Sequence, residues 1–343
     1  MQGTMLAAVY EGPGHLALKE IPVPAVRQDD DVLLRVEACG ICGSDLGFID
    51  GPDGGVGASG TVVGHELVGR VASTGPGAKH FAEGDRVVLD PCPPCLRCTY
   101  CLMGAPTQCD NLTYIGYGVD GGFAPYMIAP SQTLHRISTE VPAPVAALAE
   151  PLACVLHGLE KVDVRPGDTV VVLGAGPIGV LYVQMVKAVG AGKVIISEPS
   201  AMRRDLARMV GADYVVDPKA EDLQDVVMRE TSVGADVAID TVGNLLSTAL
   251  EVIRRKGAVL LFGLHQANVT IAPWEIALTE KRILGTLIQS HLFPQAIKVL
   301  EGGIIDAQRV ISHVLPLSRI CEGMELLRQQ RAHKVVIDPW ASE

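Results

Sequence analysis

The chain has 343 residues, enough for two domains and for cores that need no disulfides. Hydrophobic residues make up 48% and charged residues 20%, a globular composition that excludes a disordered chain. A formal net charge of −11 repels phosphate backbones, so no nucleic acid partner is expected, and no Lys/Arg-rich block marks an acidic membrane surface. The opening MQGTMLAAVYEGPG carries no secretory pattern and no apolar run approaches membrane-spanning length. A cytoplasmic protein without a membrane partner is the expectation.

In chain order, β-type runs at 5–10, 32–37, 66–73 and 86–89 are separated by turn signals such as GPG, GPDGG and STGPG. They predict a β-rich domain with long loops over roughly the first 150 residues. The texture changes near Val164. An apolar run at 169–173 reads as a buried parallel strand, followed by a glycine turn and a helix to about Val189. Strands are predicted at 193–197, 214–216, 236–240, 259–263 and 283–288. Ser200 is placed as the cap of a helix ending before Gly211, and a third helix is predicted over 245–256. Strands alternating with helices imply a doubly wound parallel sheet. The last stretch contains a helix at 294–301 and a strand at 334–337, and is expected to pack back onto the first domain.

Gly174-Ala175-Gly176-Pro177-Ile178-Gly179 is a GxGxxG motif between a strand and a helix. In that context the glycines serve a tight turn, backbone approach to a pyrophosphate, and close helix–strand packing. The helix N-terminus offers free N–H groups to the phosphates. Glu198 ends the next strand, 19 residues after Gly179, where a carboxylate accepts the adenosine ribose hydroxyls and favours NAD over NADP. Arg203 in the same loop is a weaker candidate for the ribose and leaves NADP open. The alternative is a ligand-free glycine turn beside a solvated Glu.

Five of the nine cysteines lie within 18 residues, which in a large chain reads as metal binding rather than disulfides. Cys95, Cys98, Cys101 and Cys109 have the C-x2-C-x2-C-x7-C spacing of a closed tetrahedral zinc site. Cys92 leaves the ligand set ambiguous, and an iron–sulfur site is the competitor, although the ferredoxin-type spacing is absent. Elsewhere Cys42, His65, Glu66 and Glu150 are individually bland; Glu150 alone would serve as a helix cap. Together they supply a thiolate, an imidazole and carboxylates, the inventory of a catalytic zinc with an open position.

CGSD at 42–45, GHELVG at 64–69, the four-cysteine lobe, DGGFAPY at 120–126, EPL at 150–152 and GAGPIG at 174–179 together resemble the zinc-dependent medium-chain dehydrogenase/reductase family. The branch is that of the sorbitol-type polyol and threonine dehydrogenases, and the resemblance covers essentially the whole chain. It implies an α/β plus β-rich fold: a GroES-like catalytic domain over 1–153 with a zinc lobe at about 90–112, a Rossmann domain over 154–290, and a return to the first domain over 291–343. It places Cys42, His65 and either Glu66 or Glu150 on a catalytic zinc. The alcohol dehydrogenase branch has a cysteine where Glu150 stands, so Glu150 points to the polyol branch. Asp45 would orient His65, and Ser44 would hydrogen-bond the substrate hydroxyl. Thr241, Gly263 and Leu264, at the C-terminal ends of strands, would face the nicotinamide half of NAD.

The implied reaction moves a hydride from a secondary alcohol of a polyol, sugar or cyclitol to NAD, giving a ketone. Threonine-type or glucose-type oxidation is the second enzyme reading, and a non-catalytic zinc-binding relative the reading from another class. A homo-oligomer, tetramer or dimer, is implied. Many family members carry a histidine where this chain has Gly47. Proton release is therefore expected through Ser44 and the cofactor ribose or a water chain, with His157 a weaker alternative.

Overall fold

A computed structural model describes residues 3–51 and 59–342; the GPDGG turn signal lies mostly outside them. The chain forms two compact units. One comprises the chain up to Ala153, Ser290–Gly303 and the chain from Ile311; the other comprises Cys154–Gln289 and Ile304–Val310.

In the first unit β1 (Thr4–Gly12) and β2 (His15–Pro22) form an antiparallel hairpin. β3 (Asp31–Gly40) is followed by helix α1 (Gly43–Asp50), and β4 (Glu66–Thr74) by β5 (Arg86–Leu89). Helix α2 (Thr99–Leu102), β6 (Tyr126–Pro130), β7 (Leu134–Arg136) and α3 (Ala143–Ala146) complete this stretch. Val32, Leu34 and Val36 of β3 are fully buried in one core with Leu67 and Val71 of β4, Val87 and Leu89 of β5. Alternate residues of a strand share a face, so Val32, Leu34 and Val36 turn one side of β3 to this core. β3 and β4 run antiparallel with Gly40 opposite Glu66. The chain leaving β3 towards Cys42 therefore starts beside His65.

Helix α4 (Ala149–Val162) carries the chain across the boundary. The second unit then alternates β8 (Thr169–Leu173), α5 (Pro177–Ala188), β9 (Lys193–Ser197), α6 (Ala201–Met209), β10 (Tyr214–Val216), α7 (Leu223–Thr231) and β11 (Ala235–Asp240). After these come α8 (Leu246–Val252), β12 (Ile253–Leu261), α9 (Pro273–Thr279) and β13 (Arg282–Gly285). All neighbouring strands are parallel, in the order β10-β9-β8-β11-β12-β13. This is a doubly wound sheet whose order reverses between β8 and β11, where such sheets bind ligands.

Three local expectations need correction. The helix predicted over 245–256 stops at Val252, because Ile253 and Ala258–Leu261 join the ladder with β11, and Lys256 takes φ 62° at the irregularity between them. The strand predicted over 283–288 is Arg282–Gly285; Ile288 has φ 48°, outside the strand region. Ser200 does occupy the N-cap of α6, but its side chain makes no cap bond; its backbone N–H instead donates to Glu198 Oε1 at 2.8 Å.

The return begins with α10 (Phe293–Glu301), then β14 (Ile311–Pro316), α11 (Ile320–Arg328) and β15 (Lys334–Asp338). The main sheet of the first unit has the order β14-β15-β3-β4-β5-β7, with β6 also on β3. Residues 304–310, expected to travel with this tail, belong to the second unit. There the Asp306 N–H donates to Gln184 Oε1 at 2.7 Å, and Ala307 and Val310 are buried. Among the described residues no helix is long and apolar enough to cross a membrane.

Candidate active site

Three of the residues singled out in the first unit converge. One ligand atom from each of Cys42, His65 and Glu66 lies within 4.8 Å of the others. Cys42 is the N-cap of α1, and His65 immediately precedes β4. Asp45, fully buried, fixes both: Oδ2 accepts the Cys42 N–H at 2.9 Å, and Oδ1 lies 3.2 Å from His65 Nδ1. With Nδ1 directed at a carboxylate, Nε2 of His65 is left for another partner. Burial opposes an imidazolium at His65 while the Asp45 carboxylate beside it favours one, and the pKa lies well above the ordinary value. Glu150, at 8% exposure in the first turn of α4, is not part of the cluster that the described residues form.

Two neighbours were not found from sequence. Lys334, 2% exposed, forms an ion pair with Glu66, itself 1% exposed. It arrives because β15 pairs with β3 with Val336 opposite Gly40, the residue that also faces Glu66. Burial works against its ammonium, but Glu66 outweighs burial and keeps the pKa above the usual lysine value. Its signal in the sequence was a lysine opening an apolar strand run. Tyr117 is the second. Its hydroxyl donates to Ser44 Oγ at 2.6 Å, and Ser44 Oγ donates to Cys42 Sγ at 3.0 Å. Its ring lies 5.2 Å from that of His65 and 4.8 Å from that of Phe48. Burial pushes the Tyr117 hydroxyl well above the ordinary phenol value, so it stays protonated. A Cβ built at Gly47 would meet nothing within 4 Å.

The donor set of thiolate, imidazole and carboxylate fits a zinc ion with a position left open. A second cluster, Cys95, Cys98, Cys101 and Cys109, brings four sulfurs within 4.8 Å of one another, and Cys92 is not among them. All nine cysteines are free thiols. N–H groups of Cys95 and Asn111 donate to Cys109 Sγ at 3.2 and 3.3 Å. The Arg97 N–H, followed by that of Cys98 and the Cys109 and Asn111 side chains, lowers the Cys95 thiol to about 6. Such donors prepare a thiolate for a metal.

In the second unit, Gly174 follows β8, Gly176 caps α5, and Pro177 opens the helix. A Cβ at Gly179 would lie 2.0 Å from Gly174 O, so the third glycine is required for helix–strand packing. A Cβ at Gly176 would point into open space. Ile178 follows Pro177 in the first turn of α5. Glu198, 3% exposed, accepts the Ala175 N–H at 2.8 Å through Oε2 as well as the Ser200 N–H, tying the glycine turn to β9. Arg203 Nε is buried without a hydrogen-bond partner, whereas its neighbour Arg204 is engaged by Asp217 and the Glu198 carbonyl. Thr241 Oγ1 donates to Leu173 O at 2.7 Å, the Gly263 N–H to Asp240 O at 3.0 Å, and Leu264 is 80% exposed. His157 is a core residue with Nδ1 2.8 Å from Ile288 O.

Family models for an alcohol dehydrogenase GroES-like domain and a zinc-binding dehydrogenase match residues 28–139 and 177–302. D-arabinitol dehydrogenase 1 of Uromyces fabae is 30% identical over 98% of this chain and 97% of its own length. The erythritol/L-threitol dehydrogenase of Mycolicibacterium smegmatis is 33% identical over 94% of each chain. A zinc-binding dehydrogenase of Sinorhizobium meliloti, solved bound to NADP, is 33% identical with a TM-score of 0.92, covering 98% of this chain and 100% of that one. The chain belongs to the zinc-dependent medium-chain dehydrogenase family, with the GroES-like and Rossmann architecture of its members.

Proposed function

We propose that this dehydrogenase oxidises a secondary alcohol of a polyol, using NAD and giving a ketone. The observation that carries the reading is the Cys42–His65–Glu66 cluster, which places a carboxylate beside the thiolate and imidazole. The arabinitol and erythritol/threitol relatives favour the same substrate class. Cys42, His65 and Glu66 would hold the catalytic zinc, and Cys95, Cys98, Cys101 and Cys109 the structural one. A zinc at the first site supplies Lewis acidity to an alcohol oxygen. Asp45 orients the imidazole, Lys334 balances the Glu66 charge, and Ser44, exposed at the mouth of the cluster, accepts the hydroxyl proton. Glu150 is assigned to the surroundings of the zinc rather than to its ligand set.

The GAGPIG turn would hold the pyrophosphate, and Glu198 the adenosine ribose, since each of its oxygens accepts one N–H and keeps capacity for a hydroxyl. NADP is a second reading, favoured by the unpartnered Arg203 Nε, which suits a 2′-phosphate. The nine free thiols suit a reducing, cytoplasmic setting. Exposed Leu96, Leu102 and Met103 on the cysteine lobe, and Trp274 and Leu278 on α9, support a homo-oligomer, which light scattering would read as a dimer or tetramer and a monomer would refute.

The test is reduction of NAD and of NADP by the zinc-loaded protein across polyols, cyclitols, sugars, diols and threonine. Highest kcat/KM on a polyol with NAD is expected. Preference for threonine would overturn the substrate class, and a higher kcat/KM with NADP would select the second cofactor reading.

A further inference from the structure

Oxidation of an alcohol releases a proton as well as a hydride, and the proton needs a route from the reacting oxygen to water. Position 47 on α1 is glycine and its side-chain direction is empty, so it carries no group able to pass a proton. Around Ser44 the structure instead shows a continuous pair of hydroxyls. Ser44 is exposed and borders Cys42, so it is the hydroxyl that meets a substrate at the cluster. Tyr117 stands behind it at 2.6 Å and is itself only half-buried. Phe48 and His65 pack against its ring and fix the hydroxyl in place.

We propose that Tyr117 is the second member of the proton route, a positioning residue that receives the proton of Ser44 and delivers its own to solvent. The inference rests on the dehydrogenase reading above. In the resting arrangement Tyr117 donates to Ser44, and Ser44 to Cys42. A substrate hydroxyl donating to Ser44 Oγ reverses the direction of the pair. A bound nicotinamide would take the C–H hydride with its electron pair, and the O–H proton passes to Ser44 Oγ. The Ser44 proton passes to Tyr117 Oη, and the Tyr117 proton to water. Alcohol and oxidised cofactor become ketone, reduced cofactor and one proton, and both hydroxyls end neutral as they began.

Tyr117→Phe tests this, because it keeps the ring contacts and removes only the hydroxyl. Expected are unchanged zinc content and melting temperature, KM for the alcohol within about 2-fold, kcat lower by roughly 10- to 100-fold, and a larger solvent deuterium isotope effect on kcat. Tyr117→His, which restores a group able to accept and donate a proton, should retain more kcat than Tyr117→Phe. The Ser44→Ala, Tyr117→Phe double variant should be no slower than Ser44→Ala alone, since both act on one route. An active wild type with a Tyr117→Phe kcat within about 2-fold of it, or losses that multiply in the double variant, would overturn the route alone. Should Tyr117→Phe lose zinc, the decision passes to Tyr117→His, where full wild-type kcat and isotope effect support the route and a loss as deep as that of Ser44→Ala overturns it. A zinc-loaded wild type that oxidises no alcohol would overturn the dehydrogenase reading itself.

Discussion

At Glu66, an ammonium group and a metal would share one carboxylate. A carboxylate at 1% exposure is costly to bury alone, and Lys334, at 2%, supplies the compensating charge. Removing one partner of such a pair costs about 3–5 kcal/mol, because the other charge is stranded. Lys334→Met is therefore expected to destabilise the zinc-free protein by about that amount in urea unfolding. With zinc saturating, the loss should shrink, since Glu66 then faces a cation on its other side. Equal losses with and without zinc would place Glu66 off the metal and return Glu150 to candidacy. Residue types were legible at this scale: Cys42, His65 and Glu66 are all present in short motifs. Lys334 was not, because its role depends on a strand pairing that no local spacing encodes.

Among the elements, the strand–turn–helix around Gly174–Gly179 shows how a motif divides its work between fold and ligand. Gly179→Ala would drive a Cβ to 2.0 Å from a backbone oxygen that cannot rotate away, so α5 must shift. A loss of about 1–3 kcal/mol in stability is expected. Gly176→Ala meets nothing and takes an ordinary N-cap conformation, φ −65° and ψ 179°, so stability should hold. Its methyl group would instead stand where the pyrophosphate approaches, raising KM for the dinucleotide several-fold. If both variants lost stability alike, or neither changed KM, this division would be wrong. The motif was readable because turn, helix and strand are contiguous. The helix predicted over 245–256 failed for the opposite reason. Its helical signals are local, but Ile253 and Ala258–Leu261 are recruited as a strand by β11, and ladder pairing overrides local propensity.

For the molecule as a whole, the two-unit plan was legible in the change of texture near Val164, while residues 304–310 were not, since their place follows from Gln184 far back in the chain. The first unit also carries both candidate metal sites, and they would differ in what they do for the fold. Around the four cysteines there is almost no apolar core: α2 buries no residue, and Leu96, Leu102 and Met103 are 59%, 77% and 74% exposed. A lobe so composed depends on its metal, as small metal-bound loops do. The Cys42 cluster lies against a core in which Ile41, Phe48 and Ile49 are buried, so that part of the fold stands without a metal. Elemental analysis should therefore find about two zinc ions per chain. Cys42→Ala should lose one of them and nearly all activity, with an unchanged melting temperature. Cys98→Ala should lose the other and open residues of the lobe to limited proteolysis while the Cys42 site stays loaded. A single zinc in the wild type, or a Cys98→Ala lobe as protease-resistant as the parent, would refute the assignment of the four cysteines as the closed site.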